Sequence, residues 1–151
     1  MSQWFNGFNK NCENREYLGA TSIAQGFEKG AKFAYHALEN PTEGTILTVM
    51  RESAQQAIKL AKQDNDLIKL LKGSTEKAKE SLAKTPDLLP VLKEAGVVDS
   101  GGKGFVIMLE AVLYELQGNH KKSIVEKLIA PKYLKTLNFK KEQLINTVLN
   151  A

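Results

Sequence analysis

The sequence predicts an all-α protein, an antiparallel helical bundle. Apolar residues recur at helical spacing through most of the first 118 positions, and no stretch sustains the apolar–polar alternation of a half-buried strand. The segments between these periodic runs are short, which favours antiparallel neighbours. They are also rich in residues that stop or start helices, among them Asn40-Pro41, Asp64-Asn65-Asp66 and Gly118-Asn119.

The first clear helix spans Ala20 to Leu38, with Ile23, Phe27, Ala31, Ala34 and Leu38 on one face. Asn40-Pro41 stops it, because a residue before proline is pushed out of the α region. The second spans about Thr45 to Gln63. Its stripe of Val49, Ser53, Ala54, Ala57 and Ala61 is mostly small, so a neighbour can approach closely, and this helix is expected near the centre. Asp64-Asn65-Asp66 breaks the chain and offers capping carboxylates. Leu67 to Lys84 reads as helical with an interruption at Gly73-Ser74, as one helix or two. Thr85 then caps a short helix with Pro86 at its first position, ending at Gly96. The last strongly periodic segment carries Phe105, Met108, Leu109, Val112, Leu113 and Leu116 on one stripe, which is assigned to the core and not to a cofactor. The division is residues 1–118 as one domain and 119–151 as a basic tail. The tail holds a short apolar segment (124–129) and an amphipathic stretch (140–149).

At 151 residues one domain can bury a real core without metals or disulfides. Cys12 is the single cysteine, which excludes an internal disulfide and fits a reducing, cytoplasmic setting. No apolar run reaches the roughly 20 residues of a membrane span, and the first residues do not follow a secretory signal pattern. The net charge of +4 invites a nucleic-acid reading, but its distribution opposes one. Seven lysines and only two glutamates lie between Asn119 and Ala151, and the remainder is close to neutral. A solvated lysine-rich tail accounts for the charge, with contact to a phosphate backbone or acidic lipid as the alternative.

Two glycine loops precede helices: Pro41-Thr42-Glu43-Gly44-Thr45 and Asp99-Ser100-Gly101-Gly102-Lys103-Gly104. Glycine lets a backbone approach a ligand, and a helix N-terminus presents unpaired N–H groups and partial positive charge suited to phosphate. The hydroxyls of Thr45 and Ser100 and the ammonium of Lys103 add donors. The same residues also make ordinary caps and turns, and neither loop matches a Walker or dinucleotide fingerprint. Other chemistry is sparse. His36 and His120 are the only histidines, no Cys/His spacing suggests zinc, and Asp64 and Asp66 read as caps. Asp99 follows the apolar pair Val97-Val98 and is a candidate to orient a ribose or a neighbouring loop.

Together these segments resemble a known family. Glu43-Gly44-Thr45-Ile46-Leu47-Thr48-Val49-Met50-Arg51-Glu52 is similar to the EGTILTV-R-E stretch in the helical kinase domain of bacterial fatty acid kinase. Leu89 to Gly104 resembles that family's LPVLKEAGVVDSGGQG, with Lys103 where glutamine is more usual. Ser2-Gln3 and Gly7-Phe8 resemble its SQ…RGF helix. The resemblance covers about residues 1–118 and implies a DhaL-like barrel of antiparallel helices, related to the ATP-binding subunit of dihydroxyacetone kinase. By resemblance Gly44 and Thr45 line a nucleotide site, with Asp99, Ser100, Gly101 and Gly102 as its second wall. The implied cofactors are ATP and Mg, and the implied acceptor is an acyl chain held by a separate fatty-acid-binding protein.

The sequence also departs from the family at a decisive place. The DGDTG-type magnesium motif and the Gly-Asn-Ser-Gly loop are not found in it. Phosphoryl transfer uses metal to neutralise developing charge, so the implied product is a bundle lacking its first helices, with little catalysis alone and with apolar surface exposed. Such a chain would be a shortened piece of a longer protein, a split protein completed by another chain that supplies those helices, or a degenerate remnant that self-associates as a homo-oligomer. Two functions stay open: the ATP-binding part of a kinase, and a helical interaction module without a nucleotide site.

Overall fold

The periodic segments become seven helices in the computed structural model, which describes residues 1–13 and 15–118. Both apolar runs predicted for the tail lie outside the described residues. Residues Met1–Gln117 form one unit, and its helices are α1 (Ser2–Cys12), α2 (Ala20–His36), α3 (Ile46–Ala61), α4 (Leu67–Ala83), α5 (Thr85–Leu88), α6 (Pro90–Ala95) and α7 (Ser100–Leu116). None among the described residues is long and apolar enough to cross a membrane.

The small stripe on α3 does what its composition predicts. Val49, Ser53, Ala54 and Ala57 are buried, and α3 packs against α2, α4 and α7. Paired contacts give the directions. Phe8 of α1 lies against Gly26 of α2, and Trp4 against Gly30, so these helices run oppositely. Leu60 of α3 meets Gly73 of α4, while Glu52 pairs with Lys77 at 3.5 Å. Leu82 of α4 meets Gly102 of α7, while Lys79 pairs with Glu110 at 2.9 Å. Those neighbours are antiparallel as well. The exception is α3 and α7. Ile46 meets Gly101 and Val49 meets Gly102, so their N-termini lie side by side.

Close approach fixes the α1–α2 crossing. A Cβ on Gly7 would sit 2.6 Å from the Lys29 carbonyl oxygen, and one on Gly30 would sit 2.8 Å from the Trp4 carbonyl oxygen. Trp4 fills the resulting corner, stacked on Phe8 and edge-on to Phe27 and Phe105.

Three elements differ from expectation, and one more, α4, resolves an alternative left open. First, α2 ends at His36, which leaves Leu38 exposed beyond it. Second, α4 is one helix: Gly73 costs about 1 kcal/mol of helix propensity, but Leu60 of α3 packs into the space it leaves. Third, the segment after α4 is two short helices. Pro90 drives Leu89 to an extended backbone between them, and Gly96, at φ 65°, closes the second.

Fourth, the buried line on α7 is Gly102, Phe105, Val106 and Leu109, rotated from the expected stripe. The N-terminal half of α7 packs on α3 and α4 and selects that face. Val112 and Leu116 remain 43% and 49% exposed.

Candidate functional site

The parallel α3–α7 pair brings both glycine loops to one corner. Thr45 caps α3: its hydroxyl donates to the Thr42 carbonyl at 2.7 Å and accepts the Leu47 N–H at 3.3 Å. Asp99 caps α7, its Oδ2 accepting the Gly102 N–H at 2.7 Å. A Cβ on Gly101 would stand 3.3 Å from Ile46 Cβ, and one on Gly102 would stand 3.0 Å from Val49 Cγ2. Glycines at the start of α7 let its first turn lie this close to the first turn of α3 without displacing Ile46 or Val49.

The six residues expected at the site divide into two groups. Gly44 and Gly102 are buried, and their part is to allow close packing. Gly44 has φ 79° and presses against the α5–α6 junction, where an added Cβ would lie 2.9 Å from Leu89 Cβ. Ser100 is exposed, and Thr45, Asp99 and Gly101 are partly so. Solvent reaches the corner through these four. Lys103 is exposed on the first turn of α7. Each helix start carries N–H groups that its own turns cannot satisfy, and two such ends together make a positive corner.

Thr85 joins the second loop to the interior. Its buried hydroxyl donates to the Leu82 carbonyl at 2.7 Å and accepts the Asp99 N–H at 3.1 Å. The expectation that it caps the helix after it was wrong: its hydroxyl is used on the preceding turn and on Asp99.

Sequence reasoning passed over a polar network beneath the first loop. Glu43 Oε1 accepts from the Tyr35 hydroxyl at 2.7 Å. Its Oε2 accepts from the Thr48 hydroxyl at 2.6 Å and from Arg51 Nη2 at 2.8 Å. Arg51 Nε donates to the Tyr35 oxygen at 3.1 Å, and the Gly44 N–H donates to Thr48 Oγ1 at 2.8 Å. Burial pushes the Glu43 carboxyl up, but the hydrogen bonds from Thr48, Tyr35 and Arg51 outweigh it and hold the group below its ordinary range. Burial, then the bond to Glu43, raises the Tyr35 phenol. The available signal was the run Glu43, Thr48, Arg51, which places the three side chains on the first turns of α3 and the loop just before its cap.

Beside this network, α2 and α3 enclose a surface groove of about 430 Å³. Its floor is Ala31, Ala54 and Ile58, and Tyr35 and Arg51 line it as well. Among the described residues no three His, Cys, Asp or Glu side chains gather into a set that could hold a metal ion. Glu43 is already committed to three donors and Asp99 to its cap, so the magnesium implied by resemblance finds no ready ligand set among them.

The DAK2 domain model matches residues 1–114, through all six helices that precede α7 and nearly all of α7. The chain belongs to the DAK2 domain family. Among its relatives, Protein YloV of Bacillus subtilis is 44% identical over 131 residues, covering 87% of this chain and 23% of that protein. An uncharacterized protein of Staphylococcus aureus is 46% identical over 128 residues, covering 85% of this chain and 23% of its own length. One from Staphylococcus saprophyticus is 48% identical over 118 residues, covering 78% and 21%. This DAK2 chain thus spans less than a quarter of the length of these relatives. The all-helical architecture agrees with the DhaL-like fold implied by the sequence.

Proposed function

We propose that this DAK2 domain chain binds the phosphates of ATP at the α3–α7 corner, as the nucleotide-holding part of a kinase-related phosphotransferase. The supporting observation is the parallel pairing of two capped helix starts, with glycines 101 and 102 stripped of side chains where they meet. Backbone N–H groups and two aligned dipole ends favour an anion there. Ser100 and Lys103 add hydroxyl and ammonium donors at the solvent side, while the Thr45 hydroxyl hydrogen is committed to the Thr42 carbonyl and its part is to hold the turn. Asp99 stands at the edge, where a ribose hydroxyl would find an acceptor.

The chain on its own transfers little phosphate, because catalysis of this kind needs metal at the phosphates and the described residues supply no ligand set. Those ligands come from helices supplied by another segment or chain. Following the resemblance, the acceptor is an acyl group presented by a fatty-acid-binding partner.

Calorimetric titration of ATP, with magnesium and then with EDTA, tests the reading. Binding that survives EDTA is the expected result. No heat at millimolar ATP overturns it. Gly101→Val is expected to abolish binding while leaving helicity intact, since its side chain would enter the space shared by Ile46 and Asp99. Equal binding by that variant removes the α7 loop from the site.

A second reading is favoured by Val112 and Leu116, half-exposed on α7. It makes the chain a helical interaction module, with or without nucleotide, and self-association in light scattering would support it.

A further inference from the structure

The network around Glu43 has a direction set by chemistry, and that direction ends at the Gly44 backbone. An ionised carboxylate only accepts hydrogen bonds. The Thr48 hydroxyl has one hydrogen, and at 2.6 Å from Glu43 Oε2 that hydrogen points to the carboxylate. Its oxygen is therefore left as an acceptor, and it takes the Gly44 N–H at 2.8 Å. Tyr35 repeats the arrangement on the other carboxylate oxygen, donating its hydroxyl hydrogen and accepting from Arg51 Nε. Arg51 closes the ring by donating Nη2 to Glu43. Four side chains from α2, the loop and α3 thus act through Thr48 on one peptide N–H, that of a glycine at φ 79°.

From this we infer that Glu43 is a positioning residue for ligand binding at the α3–α7 corner. Its charge polarises Thr48, and Thr48 fixes the Gly44–Thr45 turn from which α3 starts. The inference rests on the nucleotide reading above. Glu43 itself faces Tyr35, Thr48 and Arg51 and is not placed against the phosphates. Arg51 and Tyr35 work as a pair: a lysine at 51 has no planar fork to reach both Glu43 and the phenol.

The test uses the whole chain and three variants, Glu43→Gln, Thr48→Val and Thr48→Ser. Two quantities are read: amide hydrogen exchange at Gly44 through Leu47, and ATP affinity by calorimetry. Glu43→Gln replaces an acceptor by a group that also donates, so Thr48 loses its fixed direction. Thr48→Val leaves the buried Gly44 N–H without a partner. Each is expected to speed exchange at Gly44 and to weaken ATP binding about tenfold, the size of one lost hydrogen bond to a buried group. Thr48→Ser keeps the hydroxyl and is expected to stay near wild type in both.

Faster exchange with unchanged ATP affinity overturns the positioning role and leaves the nucleotide reading standing. Unchanged exchange in Glu43→Gln overturns the relay itself. A wild-type chain that binds no ATP defeats the nucleotide reading and this role with it, and exchange then reports only whether the carboxylate holds the turn. A general loss of thermal stability in Thr48→Val without faster exchange confined to Gly44–Leu47 makes the hydroxyl a packing element, which also counts against the proposal.

Discussion

The corner between α1 and α2 and the corner between α3 and α7 are both built on glycine, but they are finished differently. At α1–α2, Gly7 and Gly30 bring two backbones together and aromatic rings seal the gap. Of the rings there Phe5 is half-exposed, and the buried Trp4 indole N–H finds no hydrogen-bond partner among the described residues. At α3–α7, Gly101 and Gly102 also bring two helices together, but the seal is polar: Thr45, Thr48, Thr85 and Asp99 each make directed hydrogen bonds. The same device, absence of Cβ, yields a dry joint in one place and a shaped, positively biased surface in the other. What differs is the residue placed around the glycine.

Breaking the first corner should cost the most. Gly7→Ala puts a methyl 2.6 Å from a backbone oxygen, which cannot swing aside as a flexible side chain would. The loss is about 2–3 kcal/mol, larger than the roughly 1 kcal/mol that alanine gains in helix propensity. Chemical denaturation measures it, and ATP affinity of the folded fraction should be unchanged.

Thr85→Val probes the second corner at intermediate size. The shape is kept, but the Asp99 N–H and the Leu82 carbonyl lose their partner, at about 1–3 kcal/mol. Stability should fall and nucleotide binding should fall with it, since Asp99 caps α7. A stable variant with wild-type binding would show that the tie to Asp99 is incidental.

The smallest effect is in pH. The folded Glu43 carboxyl is held low, so its contribution to stability is complete above the ordinary glutamate range, about pH 4.3, and is lost as pH falls through its lower folded value. The Tyr35 phenol is raised, so its contribution is complete below the ordinary tyrosine range, about pH 10, and is lost as pH rises through its higher folded value. Exchange at Gly44 should be slow relative to its intrinsic rate between those limits and lose protection at both ends. Trp4 fluorescence, reporting the aromatic corner, should not follow it.

The all-α class, the long helices and the central place of α3 were legible because helical periodicity and small-residue stripes are local properties. The caps at Thr45 and Asp99 were legible for the same reason. That the two loops meet was readable only through resemblance, because it depends on α3 and α7 lying parallel, which no local pattern encodes. The face of α7 was read only in part: Phe105, Met108, Leu109 and Leu113 meet the core, but Val112 and Leu116 do not. Its residues are apolar on nearly every side, so periodicity could not choose between the stripe ending at Leu116 and the line through Val106. Packing on α3 and α4 made the choice. The division at Leu89-Pro90 was written in the sequence, as proline after an intended helical residue, and was overlooked in favour of the cleaner signal at Thr85-Pro86.

The parallel pairing of α3 and α7 also bears on the order of assembly. Antiparallel neighbours such as α1–α2 and α3–α4 are hairpins, closed over loops of a few residues. The α3–α7 contact closes a loop that runs from Ile46 to Gly101 and contains three other helices. Closing that longer loop costs more chain entropy, and contacts of high sequence separation form slowly. The hairpins should therefore be in place first, and the corner should be made last. By the same reasoning it is expected, among the described residues, to be the joint that opens most readily in the native state.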